Sequence, residues 1–216
     1  MNIEKYYDEE YFHNYQKSIG EFGGLANKFK FEGHIKKSDR VLDFGCGGGF
    51  LLNNLEASHK IGIEVNDVAR KFATDSGIEC YKDLSSIESA SIDKIISNHV
   101  LEHVEAPMNV VQEFLRVLKP GGKVIIVVPW DLRRTKWKIR DVDNHLYSYS
   151  PLNIGNIFQN YGFNVISSKE LAHKWPVGYK RIVKYFGMGV FNIISRINGW
   201  INPKRTQVKL IASKPE

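Results

Sequence analysis

Residues 41–50 read VLDFGCGGGF, an apolar run that passes through an aspartate into a cluster of glycines. A short apolar run of this kind is typical of a strand buried inside a parallel sheet. Glycines directly after such a strand allow a tight turn and let a ligand approach the backbone closely. The stretch therefore predicts a strand, a ligand-binding loop and the start of a helix, which together open a Rossmann-type fold.

The rest of the chain repeats this alternation of strand and helix. Strands are predicted at 40–46, 60–66, 78–84, 93–100, 123–129, 163–171 and 207–214. Helices are predicted at 49–56, 67–76, 107–118 and 151–161. Asp67 is the expected N-cap of the second helix, and Pro107 is suited to the first turn of the third. The alternation predicts the α/β class with a doubly wound sheet.

The composition is that of an ordinary globular chain, with 43% hydrophobic and 25% charged residues among 216. The longest apolar runs are far too short to cross a bilayer, and the N-terminus has no secretory signal pattern. The two cysteines, Cys46 and Cys80, do not suggest a disulfide framework. A cytoplasmic location is therefore expected.

Basic charge is concentrated in the C-terminal part of the chain. Residues 131–216 contain 15 Lys and Arg against 5 Asp and Glu, whereas the whole chain carries a net charge of +6. Such a surface could attract a phosphorylated substrate, nucleic acid or an anionic membrane, or it could be an ordinary lysine-rich surface.

Glu64 lies eighteen residues beyond Cys46, at the end of the second predicted strand. A carboxylate at this position can accept hydrogen bonds from both hydroxyls of a ribose. Because the carboxyl ends of parallel strands meet at one edge of a sheet, Glu64 and the glycine loop predict an adenosine-containing cofactor there.

The sequence of the loop favours one adenosine cofactor over another. A nicotinamide site prefers G-x-G-x-x-G, whereas residues 45–49 read GCGGG, with Asp43 two residues before the first glycine. A carboxylate so near the loop suits a cationic ammonium group better than a pyrophosphate. The Tyr-x-x-x-Lys pair of the commonest short-chain dehydrogenases is also missing. The glycines and the acid alone leave NAD open, but the charge argument favours S-adenosyl-L-methionine.

Four stretches resemble the successive motifs of class I S-adenosylmethionine-dependent methyltransferases, in the group that includes small-molecule, quinone and sugar methyltransferases. These stretches are VLDFGCGGGFLLNNL, IGIEV, DKIISNHVLEHVEAP and RVLKPGGKVIIVVP. The resemblance is strong over 38–130 and looser in the last two strands. It implies a mostly parallel seven-stranded sheet whose last strand is antiparallel, and an enzyme that transfers a methyl group.

The resemblance also implies a set of residues around the cofactor. Asp43 and the loop backbone would hold the methionine end, and Glu64 would take the ribose hydroxyls. Asp83 would accept from the adenine amine, although Lys82-Asp83-Leu84 departs from the family's commoner glycine–aspartate pair. The full implied set is Asp43, Gly45, Cys46, Gly47, Glu64, Val65, Asp83, Leu84, Asn98 and His99.

On this basis the chain is expected to be one domain, 1–216, with three parts. An N-terminal lid or helical cap occupies 1–37, with Tyr6, Tyr7, Tyr11 and Phe12 as lid residues. The cofactor-binding core occupies 38–130, and acceptor-side elements occupy 131–216. An aromatic, basic insert at about 172–206 is expected to cap the acceptor pocket, to form a dimer contact or to rest on an anionic membrane.

Residues 99–103 read HVLEH, which also matches the H-x-x-E-H pattern of a family of zinc peptidases. That interpretation is rejected, because the stretch ends a strand and Pro107 interrupts any long helix through it. Three interpretations stay open: a structural turn at 101–103, a general base at His99 or His103, or a divalent metal on His99, Glu102 and His103. No metal ligand is assigned from the sequence.

His145 is the third candidate base, because it lies where the resemblance places acceptor-contacting residues. The leading prediction is O-methylation of a small molecule such as a sugar or a nucleotide-linked or lipid-linked glycan precursor, with no stable nucleic-acid partner. One alternative is an RNA methyltransferase, although SNHV at 97–100 is unlike the N-P-P-Y signature of base methylation. The other is a non-catalytic scaffold that binds partners through its basic C-terminal part. A homodimer is also compatible with the sequence.

Overall fold

The computed structural model describes Phe12 and residues 17–131, 144–202 and 206–216. Among these residues a single seven-stranded sheet carries the fold, in the order β3-β2-β1-β4-β5-β7-β6. Its strands are Arg40–Phe44 (β1), His59–Ile63 (β2), Glu79–Tyr81 (β3), Ile92–Asn98 (β4), Leu118–Trp130 (β5), Asn164–Leu171 (β6) and Thr206–Ser213 (β7). The α-helices are Lys17–Asn27 (α1), Phe50–Asn53 (α2), Asp67–Asp75 (α3), Pro107–Val117 (α4), Pro151–Asn160 (α5) and Tyr179–Ile201 (α6).

The predicted sheet topology is confirmed. Strands β1 to β5 pair in parallel, whereas β7 is antiparallel to both β5 and β6. The strand order reverses between β1 and β4, and a ligand cleft is expected at the carboxyl ends of the strands at such a switch point. The glycine loop follows β1 and the HVLEH stretch follows β4, so both lie at this edge.

Several element bounds differ from those predicted. Strand β5 begins at Leu118 rather than 123, because residues 118–122 extend the ladder beside β4 through a register shift. Helix α2 has only four residues, fewer than the eight predicted. Asn66, not Asp67, is the N-cap of α3, since its side-chain oxygen accepts from the backbone N–H groups of Val68 and Ala69.

The sheet is covered on both faces, as the α/β class requires. One apolar cluster, which includes Phe114, Phe158 and Leu210, lies on the face covered by α4 and α5. The other, which includes Phe31, Leu52 and Ile125, lies on the opposite face. The central strands are buried on both sides, so they hold the loops at their carboxyl ends in fixed positions.

The N-terminal helix and the long C-terminal helix pack together beside the sheet edge. Phe22 of α1 contacts the rings of Trp175, Tyr179 and Phe191, with centroids between 4.6 and 5.5 Å apart. Helix α1, in the predicted cap at 1–37, is therefore in contact with the predicted insert at about 172–206, and the role of each stays a prediction. Phe12 is buried against Phe72, at 5.6 Å between rings. The other expected lid residues, at 6, 7 and 11, lie outside the described residues.

In the part of the chain that the structure describes, no helix is long and apolar enough to cross a membrane.

We predict that Gly45→Ala lowers the free energy of unfolding by about 1–3 kcal/mol, because its backbone conformation disfavours a side chain. Gly45 has a φ of +77°, and a Cβ there would lie 2.3 Å from the Val100 side chain. Urea unfolding monitored by circular dichroism measures the change. Gly33→Ala is the matched control, since a Cβ at Gly33 would meet nothing within 4 Å. Equal stability losses in both variants would contradict the prediction.

Candidate active site

The glycine loop is fixed by hydrogen bonds to the neighbouring strand. The N–H groups of Gly45 and Cys46 donate to the Ile63 carbonyl at 2.8 and 3.1 Å. The Glu64 carboxylate accepts from the N–H of Gly47 at 2.8 Å through Oε2 and from the N–H of Asn66 at 2.9 Å through Oε1. Glu64 therefore connects the loop after β1 with the loop after β2 through hydrogen bonds.

A cavity of about 340 Å³ opens over this loop, and we call it the glycine-loop cavity. Asp43, the loop glycines and Phe50 form its floor, and the small residues Gly20, Gly23 and Gly24 of α1 form part of its wall. Asn98 and His99, at the end of β4, also line it. Six of the ten predicted cofactor positions line this cavity, namely Asp43, Gly45, Cys46, Gly47, Asn98 and His99, and a seventh, Glu64, is hydrogen-bonded to Gly47.

The acids of this site are unusually well buried. Asp43 is 3% exposed and Glu64 is 7% exposed. Burial, with the nearby charge of Glu64, raises the pKa of Asp43 to about 8. Burial also raises the pKa of Glu64, although backbone N–H donors oppose the shift. A bound cation would stabilise the ionised form of both carboxylates. This pair of acids therefore suits a ligand with an ammonium and a sulfonium group.

Other residues of the predicted cofactor set have different surroundings. The Asp83 carboxylate accepts from Ser85 as the cap of a short 3-10 helix, and Leu84 belongs to the apolar core. The Val65 side chain is exposed beside the end of β2. The Cys46 thiol faces Cys80 at 3.5 Å between sulfur atoms, so Cys46 meets the cavity mainly through its backbone. The adenine positions Val65, Asp83 and Leu84 stay predictions.

A second cavity, of about 460 Å³, adjoins the first, and we call it the histidine cavity. Its walls come from the ends of β4, β5 and β7 and from the segment before α6. Asn27, Asn98, His99 and Trp175 line both cavities. A ligand in one cavity therefore lies next to a ligand in the other.

Lys30 is a residue of this cavity that the sequence interpretation missed. Its ammonium group donates to Asn98 Oδ1 at 3.0 Å and to Gln207 Oε1 at 2.6 Å, and the residue is 2% exposed. Burial, together with the charge of Lys209, lowers the pKa of Lys30 to about 7. The amine therefore exchanges its proton near neutral pH. No local motif marks it, because its partners lie 68 and 177 residues away.

His99, which was predicted to border the cofactor and to be a candidate base, lines both cavities. Its backbone has a φ of +59°, and its Nε2 lies 3.2 Å from Gln207 Oε1. Burial, then the charge of Lys30, lowers the pKa of His99. The imidazole therefore stays neutral at pH 7 and binds a proton weakly, which makes it a poor general base and a suitable hydrogen-bond partner for a substrate.

His145 pairs with a carboxylate that the sequence interpretation also missed. Its Nδ1 lies 2.5 Å from Asp131 Oδ2, and both residues line the histidine cavity. A carboxylate on Nδ1 places the proton on that nitrogen and leaves Nε2 as the basic one. This aspartate–histidine arrangement fixes the orientation of the ring, with Nε2 as the nitrogen that can accept a proton.

His103 is held beside a buried carboxyl group. Its Nδ1 lies 3.3 Å from the Asn144 carbonyl, and its Nε2 lies 3.6 Å from Glu102 Oε1. Glu102 is fully buried, and neither of its carboxyl oxygens has a hydrogen-bond partner among the described residues. Burial raises the pKa of Glu102 to about 8.

The metal arrangement differs from the one considered from the sequence. Ligand atoms of Glu102, His103 and His145 lie within 4.8 Å of one another, so His145 takes the third place that His99 was thought to fill. Two imidazoles and a carboxylate are ligands that zinc and manganese accept. The cluster fits such an ion, because a cation would pair with the Glu102 carboxyl group, whose oxygens have no hydrogen-bond partner among the described residues.

A family model described as a methyltransferase domain matches residues 7–168. The chain belongs to this methyltransferase family. The predicted recognition, the enzyme class and S-adenosyl-L-methionine as cofactor are confirmed at the level of the family.

Curated relatives carry a more specific name. A ubiquinone biosynthesis O-methyltransferase of Hahella chejuensis is 32% identical over 118 residues, covering 49% of this chain and 50% of the relative. The protein of the same name from Nitrosococcus oceani is 34% identical over 135 residues, covering 54% of this chain and 57% of the relative. The chain spans about half the length of the curated relatives it matches.

Solved methyltransferases share the fold. A Thermotoga maritima S-adenosylmethionine-dependent methyltransferase aligns with a TM-score of 0.69 at 16% identity, covering 97% of this chain and 99% of that one. A Mesorhizobium loti methyltransferase aligns with a TM-score of 0.63 at 17% identity, covering 89% and 99%. At such low identity these likenesses bear on the fold alone.

We predict that cofactor binding releases a proton from Asp43. Burial holds the pKa of Asp43 at about 8 in the free protein, whereas a ligand ammonium needs the ionised carboxylate. Affinity for S-adenosylhomocysteine should therefore rise about tenfold per pH unit between about pH 6 and 8. Calorimetric titration in buffers of different ionisation enthalpy measures both the affinity and the released proton.

Asp43→Asn should bind more weakly and without this pH dependence. Asp75→Asn is the matched control, because Asp75 is exposed at the end of α3 and pairs with Lys71, so its variant should keep the slope. An affinity of the unmodified protein that is flat across this pH range, with no proton released, would contradict the prediction.

Proposed function

We propose that the protein is an O-methyltransferase that transfers a methyl group from S-adenosyl-L-methionine to a hydroxyl of a small molecule. The observation that carries the proposal is that the two cavities share Asn98 and His99 at the end of β4. With the cofactor in the glycine-loop cavity, its methyl group would face an acceptor in the histidine cavity. Methyl transfer is an in-line displacement, so alignment of two adjacent ligands supplies much of the catalysis.

The remaining chemical requirement is removal of one proton from the acceptor hydroxyl. Among the predicted bases His99, His103 and His145, the pair of His145 with Asp131 supports that role best. His99 would contact the acceptor as a neutral hydrogen-bond partner, and His103 would position His145, since their ring centroids lie 5.0 Å apart. Lys30 would donate a hydrogen bond to the acceptor oxygen.

The acceptor class rests on the polar, partly basic lining of the histidine cavity. Lys30, Lys174, Asn27 and Thr206 offer hydrogen-bond donors that suit a sugar or a phosphate-bearing acceptor such as a nucleotide-linked or lipid-linked glycan precursor. The names of the curated relatives add precursors of ubiquinone to the candidates. These three acceptor classes form the screening panel.

The proposal places the enzyme in the cytoplasm with a small-molecule acceptor and no stable nucleic-acid partner. RNA methylation and a non-catalytic scaffold are the alternatives. Methylation of RNA but of no small molecule in the panel would favour the first. Absence of cofactor binding would favour the second.

We predict that His145→Ala lowers kcat by about 10²- to 10⁴-fold on the best acceptor, because the general base is removed. The rate is measured as S-adenosylhomocysteine formed per enzyme. Asp131→Asn should also lower kcat, since the Nδ1 proton of His145 loses the carboxylate that fixes the tautomer. His59→Ala is the matched control, because His59 is exposed at the start of β2 and its side chain hydrogen-bonds to Ser58.

Binding of S-adenosylhomocysteine should be unchanged in His145→Ala, which separates loss of chemistry from loss of folding. A rate in His145→Ala within twofold of the unmodified enzyme would overturn the assignment of the base.

We further predict that activity survives prolonged dialysis against EDTA, because the aspartate–histidine pair can remove the proton without an ion. An ion on Glu102, His103 and His145 would instead lower the pKa of an acceptor oxygen. Activity lost on chelation and restored by zinc or manganese would contradict the metal-free proposal. In that case Glu102→Gln should also abolish activity and metal binding.

A further inference from the structure

Helix α6 buries one face and exposes an apolar one. The buried residues Phe191, Ser195 and Gly199 are four positions apart and lie against the protein. At 3.6 residues per turn, the opposite face of the second half of the helix carries Val190, Ile193, Ile197, Trp200 and Ile201. All five of these apolar residues are exposed, with 60% for Ile193 and 81% for Trp200. A contiguous exposed apolar face of this kind marks an interaction site.

The segment of α6 that precedes a kink at Gly187, where φ is +77°, is basic. Lys180, Arg181 and Lys184 are exposed there, and Arg196 is exposed in the second half. Residues 172–205 contain no aspartate or glutamate. A helix that combines a polar face rich in lysine and arginine with large apolar and tryptophan side chains is typical of segments that lie in the interface of an anionic membrane. Tyr185 and Phe186, also exposed, suit the headgroup region.

We propose that α6 is a docking surface for an anionic lipid bilayer, with Ile193, Ile197 and Trp200 inserted and the basic residues against the headgroups. A second copy of the chain is a poorer occupant. In a twofold interface that pairs α6 with α6 of a second copy, like charges would meet, and residues 172–205 offer no acid to pair with them. A lipid surface offers both an apolar layer and negative charge.

Helix α6 is hydrogen-bonded to the segment that lines the histidine cavity. The N–H of Lys174, a residue that lines this cavity, donates to the Ser195 carbonyl at 2.9 Å. The close contact requires glycine at 199, because a Cβ there would lie 2.7 Å from the His173 backbone nitrogen. Docking through α6 would therefore hold the histidine cavity beside the lipid surface, which suits an acceptor attached to a lipid.

Vesicle flotation with the full-length protein tests the proposal. Vesicles of phosphatidylcholine with phosphatidylglycerol should bind the protein, vesicles of phosphatidylcholine alone should bind it far less, and high salt should weaken the binding. The double variant Ile193→Glu/Ile197→Glu should lose more than about 100-fold in partitioning, because two charges must enter the apolar layer. In a further variant, Lys180, Arg181 and Lys184 are replaced by Ala. Its partitioning onto anionic vesicles should fall about 100-fold.

The matched control is Leu152→Glu/Ile166→Glu, which places the same charges at exposed apolar positions on α5 and β6. This variant should bind vesicles as the unmodified protein does. S-adenosylhomocysteine binding should be unchanged in every variant, which would show that the fold is intact. This measurement is independent of vesicle binding.

Three results would overturn the proposal. The first is no binding of the unmodified protein to anionic vesicles at low salt. The second is equal binding by the Ile193→Glu/Ile197→Glu variant. The third is a stable dimer in sedimentation that this variant converts to monomer while vesicle binding is absent, which would assign the face to self-association instead.

Discussion

The Glu64 carboxylate joins two loops that the site depends on. Its oxygens accept from the N–H groups of Gly47 and Asn66, on the loops after β1 and β2. Asn66 in turn caps α3. A carboxylate has about four acceptor positions, and the N–H of Val65 also bonds to Glu64, so acceptor capacity for a ribose hydroxyl is left. The buried Glu64 side chain therefore holds both the glycine loop and the residue that caps α3, and it can still bind a ligand.

The two adjacent cavities differ in their chemistry because different charges are buried beside them. The glycine-loop cavity has Asp43 and Glu64, which favour a cationic ligand. The histidine cavity has Lys30, His99 and the pair of His145 with Asp131, which suit an oxygen acceptor and the removal of its proton. Asn98 and His99, at the end of β4, line both cavities, so the sheet holds one cavity in a fixed position beside the other.

The sequence predicted the features that depend on neighbouring residues. The strand, the glycine loop and Glu64 follow from short patterns, and the antiparallel last strand follows from the family resemblance. The predicted fold was therefore correct, and the cofactor-binding residues stay predictions. Lys30 and Asp131 were missed, because their partners Gln207 and His145 meet them only after folding. The metal-ligand set considered from the sequence took three residues from one pentapeptide, whereas the folded chain replaces His99 by His145 from a distant loop. The short helix α2 was overestimated, since its apolar residues Leu51 and Leu52 fit a longer helix equally well.

Titration of the purified protein with S-adenosylhomocysteine, with NAD as the competing candidate, tests the central assignment most directly. Saturable binding of S-adenosylhomocysteine with no heat from NAD, lost in Glu64→Ala while the far-ultraviolet circular dichroism spectrum is unchanged, is the result expected from this site. Tighter binding of NAD, or S-adenosylhomocysteine affinity that Glu64→Ala leaves intact, would contradict it.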